Sequence, residues 1–300
     1  MIKRFALFFG VNIAIMVTVT TILSLLGVGN YMNAYGIDYT SLIIFCLVWG
    51  MAGSFISLML SKFMAKTMYG VQIITPTGQY GDLVRRVHTL ASRAGIVVMP
   101  EVGIYNSPEV NAFATGPSKN NSLVAVSSGL LSKMSSDEVE GVLAHEIAHI
   151  ANGDMVTMAL VQGVVNAFVM FLARVVAFAI SSAMSSSDDE KSEGIGGLAN
   201  YVVVMVLQIV FGILGSIIVA FFSRYREYRA DSGGAKLAGK EKMIAALSGL
   251  TRTYESLAQG GRSEVRAMQI SSKSSLLALF STHPSLENRI NALKRAVQLV

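Results

Sequence analysis

Ala144-His145-Glu146-Ile147-Ala148-His149 is the stretch that decides how this chain is read. On a helix, residues four apart lie one above the other, so His145 and His149 present two imidazoles on one face, close enough to share a metal ion. The H-E-x-x-H spacing is that of a zinc site with an open coordination position. The intervening Glu146 then serves as general base toward the attacking water. The first reading is a metallohydrolase, and the rest of the chain must supply a third ligand, a fold and a place to work.

The motif sits on a helix with a clear start. Ser135 and Glu138 have the spacing of a capping box, and Asp137, Glu138 and Glu140 fill the first turn, where negative charge suits the helix dipole. Val139, Val142, Leu143 and Ile147 add an apolar flank. A polar start followed by one apolar face fits a helix packed in a soluble domain, not a membrane span.

The chain as a whole is not soluble in character. Its 300 residues are 52% hydrophobic and 14% charged, with a mean hydropathy of +0.54, which points to a membrane protein. The net charge of +5 is concentrated where apolar segments end, which fits anionic lipid headgroups, and no nucleic-acid motif is present, so no nucleic-acid partner is expected. The single cysteine, Cys46, excludes an intrachain disulfide and reads as packing within an apolar run.

Four spans are expected. Phe5 to Leu26 is free of charge and reaches about 33 Å as a helix, enough to cross the hydrocarbon core. It follows Lys3 and Arg4 and shows no small-residue cleavage site, so it reads as an uncleaved anchor. Ser41 to Leu60 is the second span, followed by Lys62 and Lys66. Met155 to Met184 and Leu198 to Phe222 are the third and fourth, joined by an acidic, Ser- and Gly-rich loop over 185–197 expected to be mobile and external. Arg224, Arg226 and Arg229 follow the last. The positive-inside rule then puts both termini and the segments outside the two hairpins in the cytoplasm. Arg174 reads as a lipid-interface anchor, with a place against another helix or a wet cavity as the alternative.

The organisation expected is an N-terminal hairpin (1–61), the first part of a catalytic domain (62–154), a second hairpin (155–222), and the second part of the catalytic domain (223–300). In the first catalytic part, Asp82 to Ala94 has helical apolar spacing, with His88 as a boundary residue. Ile96 to Val98, Val102 to Tyr105 and Ser122 to Ser127 read as short strands. In the second part, Glu241 to Leu257 and the residues after Pro284 read as helices, with a Gly-, Ser- and Gln-rich loop over about 259–275 between them.

Two histidines leave a catalytic zinc one protein ligand short. Glu227 and Asp231 lie one helical turn apart just after the fourth span. Glu227 could ligate the metal while Asp231 accepts a hydrogen bond from a ligand histidine. The alternative is a solvated helix face paired with arginines. An even number of crossings separates His149 from Glu227, as a shared site requires.

Taken together, Asn111-Ala-Phe-Ala-Thr-Gly116, His145-Glu-Ile-Ala-His149, Glu227-Tyr-Arg-Ala-Asp231 and Thr282-His-Pro-Ser285, in this order among four spans, resemble the HtpX family of bacterial membrane-embedded zinc metalloproteases. That group includes the CAAX prenyl endopeptidases. The resemblance covers essentially the whole chain and implies an α-helical integral membrane protein with an α+β zincin-like cytoplasmic protease domain. It implies one zinc per chain held by His145, His149 and Glu227, Glu146 as general base and proton carrier, and Asp231 behind the ligands. Its expected setting is the bacterial inner membrane, with a quality-control role in the stress response.

Softer expectations complete the site. Peptide hydrolysis passes through an oxyanion that needs a donor, and His283 or Arg289 could supply it, although His283 could equally be a helix-start residue. Asn111, Ala112, Phe113 and Ala114 resemble the edge strand on which such proteases lay their substrate, a reading compatible with an ordinary strand whose Phe113 enters the core. The short links from His149 to Met155 and from Phe222 to Glu227 put the metal within about 10 Å of the membrane surface. Its expected substrates are therefore membrane proteins or unfolded polypeptides at the bilayer. Against this stand a zinc transporter, whose motif would lie inside a span, and a scaffold with a vestigial metal site.

Overall fold

The structure, a computed structural model, describes residues 32–33, 36–185, 197–259 and 279–295. The expected span Phe5 to Leu26 and most of the two expected loops, over 185–197 and 259–275, lie outside the described residues. The chain divides into two compact units, one of Met1–Ser57 with Ala159–Val219 and the other of Leu58–Met158 with Ala220–Val300.

Among the described residues, three helices are long and apolar enough to cross a membrane: α1 (Tyr39–Tyr69), α5 (Asp154–Ser185) and α6 (Gly197–Ala238). A two-residue hairpin, β1 (Met32–Asn33) and β2 (Gly36–Ile37), precedes α1. Within the first unit, α1 and α5 approach closely because the contact is made of small residues: a Cβ at Gly50 would lie 2.5 Å from the Ala167 backbone nitrogen. Arg174 is not simply an interface anchor. Its guanidinium lies 5.2 Å from the centroid of the Phe45 ring on α1 and donates to the Met170 carbonyl at 3.1 Å, so it is placed against a neighbouring helix. The charge-free run also does not end its helix at Phe222. α6 continues to Ala238, because nothing between Ser223 and Leu237 breaks it, and stops at Gly239, whose φ is 97°.

The second unit is built on a four-stranded mixed sheet of order β3-β4-β6-β5, from β3 (Gln72–Ile73), β4 (Glu101–Tyr105), β5 (Ala112–Ser118) and β6 (Asn121–Ser127). β4 and β6 are parallel; the other pairs are antiparallel. The expected strand at Ile96 to Val98 is absent. Ile96 is buried in the core, Val97 and Val98 face outward, and the segment is confined between Gly95, at a positive φ of 71°, and Pro100, which has no N–H to pair. Its place in the sheet is taken by β3, whose Gln72 and Ile73 pair with Ile104 and Gly103.

On one side of the sheet lie α2 (Gly81–Arg93) and α4 (Ser136–Asn152), with the short α3 (Ser128–Lys133) leading into the latter. Val84, Val87 and Leu90 of α2 meet Val124 and Val126 of β6 and Leu143 and Ile147 of α4 in the main core. The opposite face packs Ala65, Val71, Tyr105, Leu123 and Ala125, with Phe113 partly buried against them. α7 (Lys240–Gln259) lies along α4, and α8 (Leu286–Arg295) packs on α7 through Leu293, Met243 and Leu247.

The capping box forms as its spacing implies. The Ser135 N–H donates to Glu138 Oε2 at 2.8 Å, and the Glu138 N–H donates to Ser135 Oγ. Arg252 of α7 also pairs with Glu138. Burial would push the Glu138 carboxyl up, but the Ser135 N–H and Arg252 together hold it below its ordinary value of 4.5. A depressed carboxyl stabilises the fold above its unfolded value and loses that contribution as pH falls through the folded one. Glu138→Gln is therefore expected to lower stability near neutral pH and to flatten the acid limb of a melting-temperature profile between about pH 5 and 3.

Candidate active site

α4 carries His145 and His149 on one face, and the two Nε2 atoms are 3.1 Å apart with the rings nearly perpendicular, at 84°. α6 brings Glu227 to the same point: Oε2 lies 3.5 Å from His145 Nε2, and Oε1 lies 3.4 Å from His149 Nε2. One ligand atom from each of the three residues lies within 4.8 Å of the other two. Close packing of the helices makes this meeting possible. A Cβ on Gly233 of α6 would lie 2.8 Å from Ala148 Cβ, and one on Gly234 would lie 3.1 Å from the His145 nitrogen, so two glycines let α6 lie directly against the motif helix.

The residues fit a cation. Glu227 is 1% exposed and its Oε1 accepts no hydrogen bond, with His149 Nε2 at 3.4 Å and Arg226 Nη2 at 3.7 Å, so the buried carboxylate keeps an oxygen free to ligate a cation. Two imidazoles and a carboxylate converging from two helices form the donor set of a catalytic metal with a position left for substrate.

Each ligand histidine is held from behind by a carboxylate. Asp231 Oδ1 is 3.0 Å from His145 Nδ1, and Asp154 Oδ2 is 2.6 Å from His149 Nδ1. Such bonds fix which nitrogen faces the metal and keep it basic. Burial pulls the His149 imidazole down, but its bonds to Asp154 and then Glu227 override this and carry it up to about 9; the same opposition, with Asp231 and Glu227, raises His145. In binding, a cation takes the place of those protons.

The structure places Asp231 behind His145. In the sequence Asp154 reads as no more than the last polar residue before an apolar run. The available signal was a carboxylate directly after Gly153: with φ 70° this residue ends α4 and turns the chain, so that the first residue of α5 reaches back to His149. Asp154→Ala is expected to weaken metal affinity about 10–100-fold, checked by competition with a chromogenic chelator.

Arg289 arrives from α8 and is 6% exposed. Its Nε donates to Asp231 Oδ2 at 2.7 Å and its Nη2 to Asp231 Oδ1 at 2.6 Å, while Nη1 lies 3.4 Å from Glu227 Oε2. The guanidinium therefore grips the carboxylate behind His145 and also faces Glu227. His283, with a side chain 62% exposed, has Nδ1 at 3.0 Å from Glu227 Oε2. Its segment is pinned by Arg224, whose Nη1 donates to the carbonyls of Leu279 at 3.0 Å and Ser281 at 2.7 Å. Glu146 is half-buried beside His145, near enough for its charge to bear on both histidines and on Arg289. His88 lies outside this cluster, its Nε2 3.3 Å from the Pro100 carbonyl oxygen.

The Asn111–Ala114 segment leads into β5, which is an edge of the sheet and packs against α4. Asn111 is fastened to Ser127 through both backbone groups, its N–H to Ser127 Oγ at 3.1 Å and its carbonyl to the Ser127 N–H at 2.9 Å. Phe113 packs its ring 5.6 Å from that of Tyr105 and 5.2 Å from that of Tyr69. One strand thus offers both a core side chain and, among the described residues, an unpaired edge.

Proteins of known description resemble this chain over most of its length. Residues 78–297 match Peptidase family M48. The chain is 51% identical over 302 aligned residues to a Protease HtpX homolog of Bacillus licheniformis, covering 97% of this chain and 99% of that one. It is 52% identical over 294 residues to Protease HtpX of Shewanella halifaxensis, covering 97% and 99%. The crystal structure of S. mikatae Ste24p shares the fold at a TM-score of 0.65 and 20% identity; 98% of this chain aligns and spans 64% of that one. A two-helix metal cluster in a chain with membrane-spanning helices, half identical to these proteases end to end, places the protein in peptidase family M48 as a membrane metalloprotease.

Proposed function

We propose that the protein is a zinc endopeptidase of the bacterial inner membrane that hydrolyses misfolded or damaged membrane proteins at the cytoplasmic face, in quality control under stress. The observation that carries the reading is the convergence of His145, His149 and Glu227, the last with a buried carboxylate oxygen that accepts no hydrogen bond. His/His/Glu favours zinc, one per chain. The domain around it is read as zincin-like α+β, with Phe5 to Leu26 as a fourth span and the chain divided at about 61, 154 and 222. Lys62 and Lys66 after one apolar run, and Arg224, Arg226 and Arg229 after another, support a cytoplasmic catalytic side.

When bound, zinc supplies Lewis-acid polarisation and makes water nucleophilic at neutral pH. The protein's own residues do the rest. Glu146 accepts the proton of the attacking water and delivers it to the leaving amine nitrogen. His283, exposed and one contact from Glu227, donates to the oxyanion of the tetrahedral intermediate. Arg289 holds Asp231, Asp231 holds His145, and Asp154 holds His149, so both ligands keep one tautomer. The free edge of β5 takes an extended substrate as an added strand, which suits unfolded polypeptide better than folded surface.

The test is reconstitution in liposomes with a membrane-tethered unfolded polypeptide. Cleavage on the exposed catalytic side without zinc flux is expected; flux without cleavage would favour a transporter.

A further inference from the structure

We propose that Val97, Val98 and Met99 form an apolar tip that inserts into the headgroup–acyl boundary of the bilayer that α1 enters.

These three consecutive side chains are 84%, 49% and 37% exposed, in the connection between α2 and β4. The neighbours behave oppositely: Ile96 is in the core and Pro100 is buried. A run of three outward apolar residues held between two fixed points is an unfavourable surface in water and a favourable one in lipid.

Where the bilayer lies relative to this tip follows from α1. Its charge-free run ends at Leu60, and Lys62 and Lys66 follow, the residue type that reaches headgroups at the end of a span. Lys62 Nζ is 2.9 Å from Glu101 Oε1, and Lys66 Nζ is 2.5 Å from Oε2. Glu101, the first residue of β4, is therefore held at the level where α1 leaves the apolar zone. At the other end of the strand, the Tyr105 ring lies 5.6 Å from that of Tyr69, the last residue of α1. Seven residues of helix from Lys62 to Tyr69 rise about 10 Å, and β4 covers a similar length alongside. β4 thus runs away from the bilayer beside α1. Val97 to Met99, which enter β4 from its Glu101 end, occupy its membrane side, where apolar side chains settle about 5–10 Å into the interface.

The proposal rests on α1 spanning the membrane and not on the peptidase chemistry, so its test reads depth instead of cleavage. A polarity-sensitive fluorophore is attached to Val97→Cys in the full chain in lipid nanodiscs, with Asn106→Cys beyond Tyr105 as the distant site. Cys46 is buried, so the unsubstituted protein gives the labelling background. Shallow nitroxide lipids are expected to quench the label at 97 by more than about half and to leave that at 106 bright, with aqueous iodide doing the reverse. Adding Val98→Asp should make the label at 97 iodide-sensitive while leaving metal content unchanged. Iodide quenching at 97 without lipid quenching would overturn the proposal. So would a blue shift at 97 that occurs only when unfolded polypeptide is added, which would assign the tip to substrate.

Discussion

Glu146→Gln is expected to lower peptide turnover by about 10²–10⁴-fold, the usual worth of a general base, while leaving metal content unchanged. The separation follows from the geometry. Glu146 is neither one of the three converging donors nor one of the carboxylates behind them, so an isosteric amide disturbs no bond of the metal cluster. It removes only the proton acceptor. Single-turnover cleavage of a fluorogenic peptide, read beside the metal content of the same preparation, checks both halves. Loss of metal in this variant would mean that Glu146 is itself a ligand.

Glu227→Ala has the complementary expectation: metal affinity falls by more than about 100-fold, beyond what loss of an outer carboxylate costs, and cleavage disappears with it. Only two imidazoles from one helix would remain, and His283 and Arg289 would lose the carboxylate oxygen that lies 3.0 and 3.4 Å from them. The fold should survive, since Arg289 keeps both bonds to Asp231. Chelator competition measures the affinity, and circular dichroism of the detergent-purified variant tests the fold.

Much of this site is legible in the sequence because its parts are local. Two histidines one turn apart, a capping box and a carboxylate pair one turn apart on another helix are all read from spacing, and the structure brings them together. The parts that escape are set by tertiary context. Asp154 matters because the left-handed turn at Gly153 brings the first residue of α5 back to His149. Arg289 reads from the sequence as a donor for the oxyanion, while its burial against two carboxylates, Asp231 and Glu227, is set by the packing of α8. Val97 and Val98 carry strand propensity, but propensity reports fit to a pleated, half-buried surface, and among the described residues no partner strand passes that position. β3 is too short to leave a pattern. The course of α6 past Phe222 is equally hidden, since the change from an apolar to a charged sequence alters what surrounds the helix and not its backbone.

The central claim is that α4 and α6 together hold one catalytic metal. X-ray absorption at the zinc edge of the detergent-purified protein tests it most directly. One zinc per chain with two imidazole nitrogens at about 2.0–2.1 Å and carboxylate oxygen at a similar distance is the expected result. A metal without histidine scattering, or a spectrum unchanged by Glu227→Ala, would contradict it.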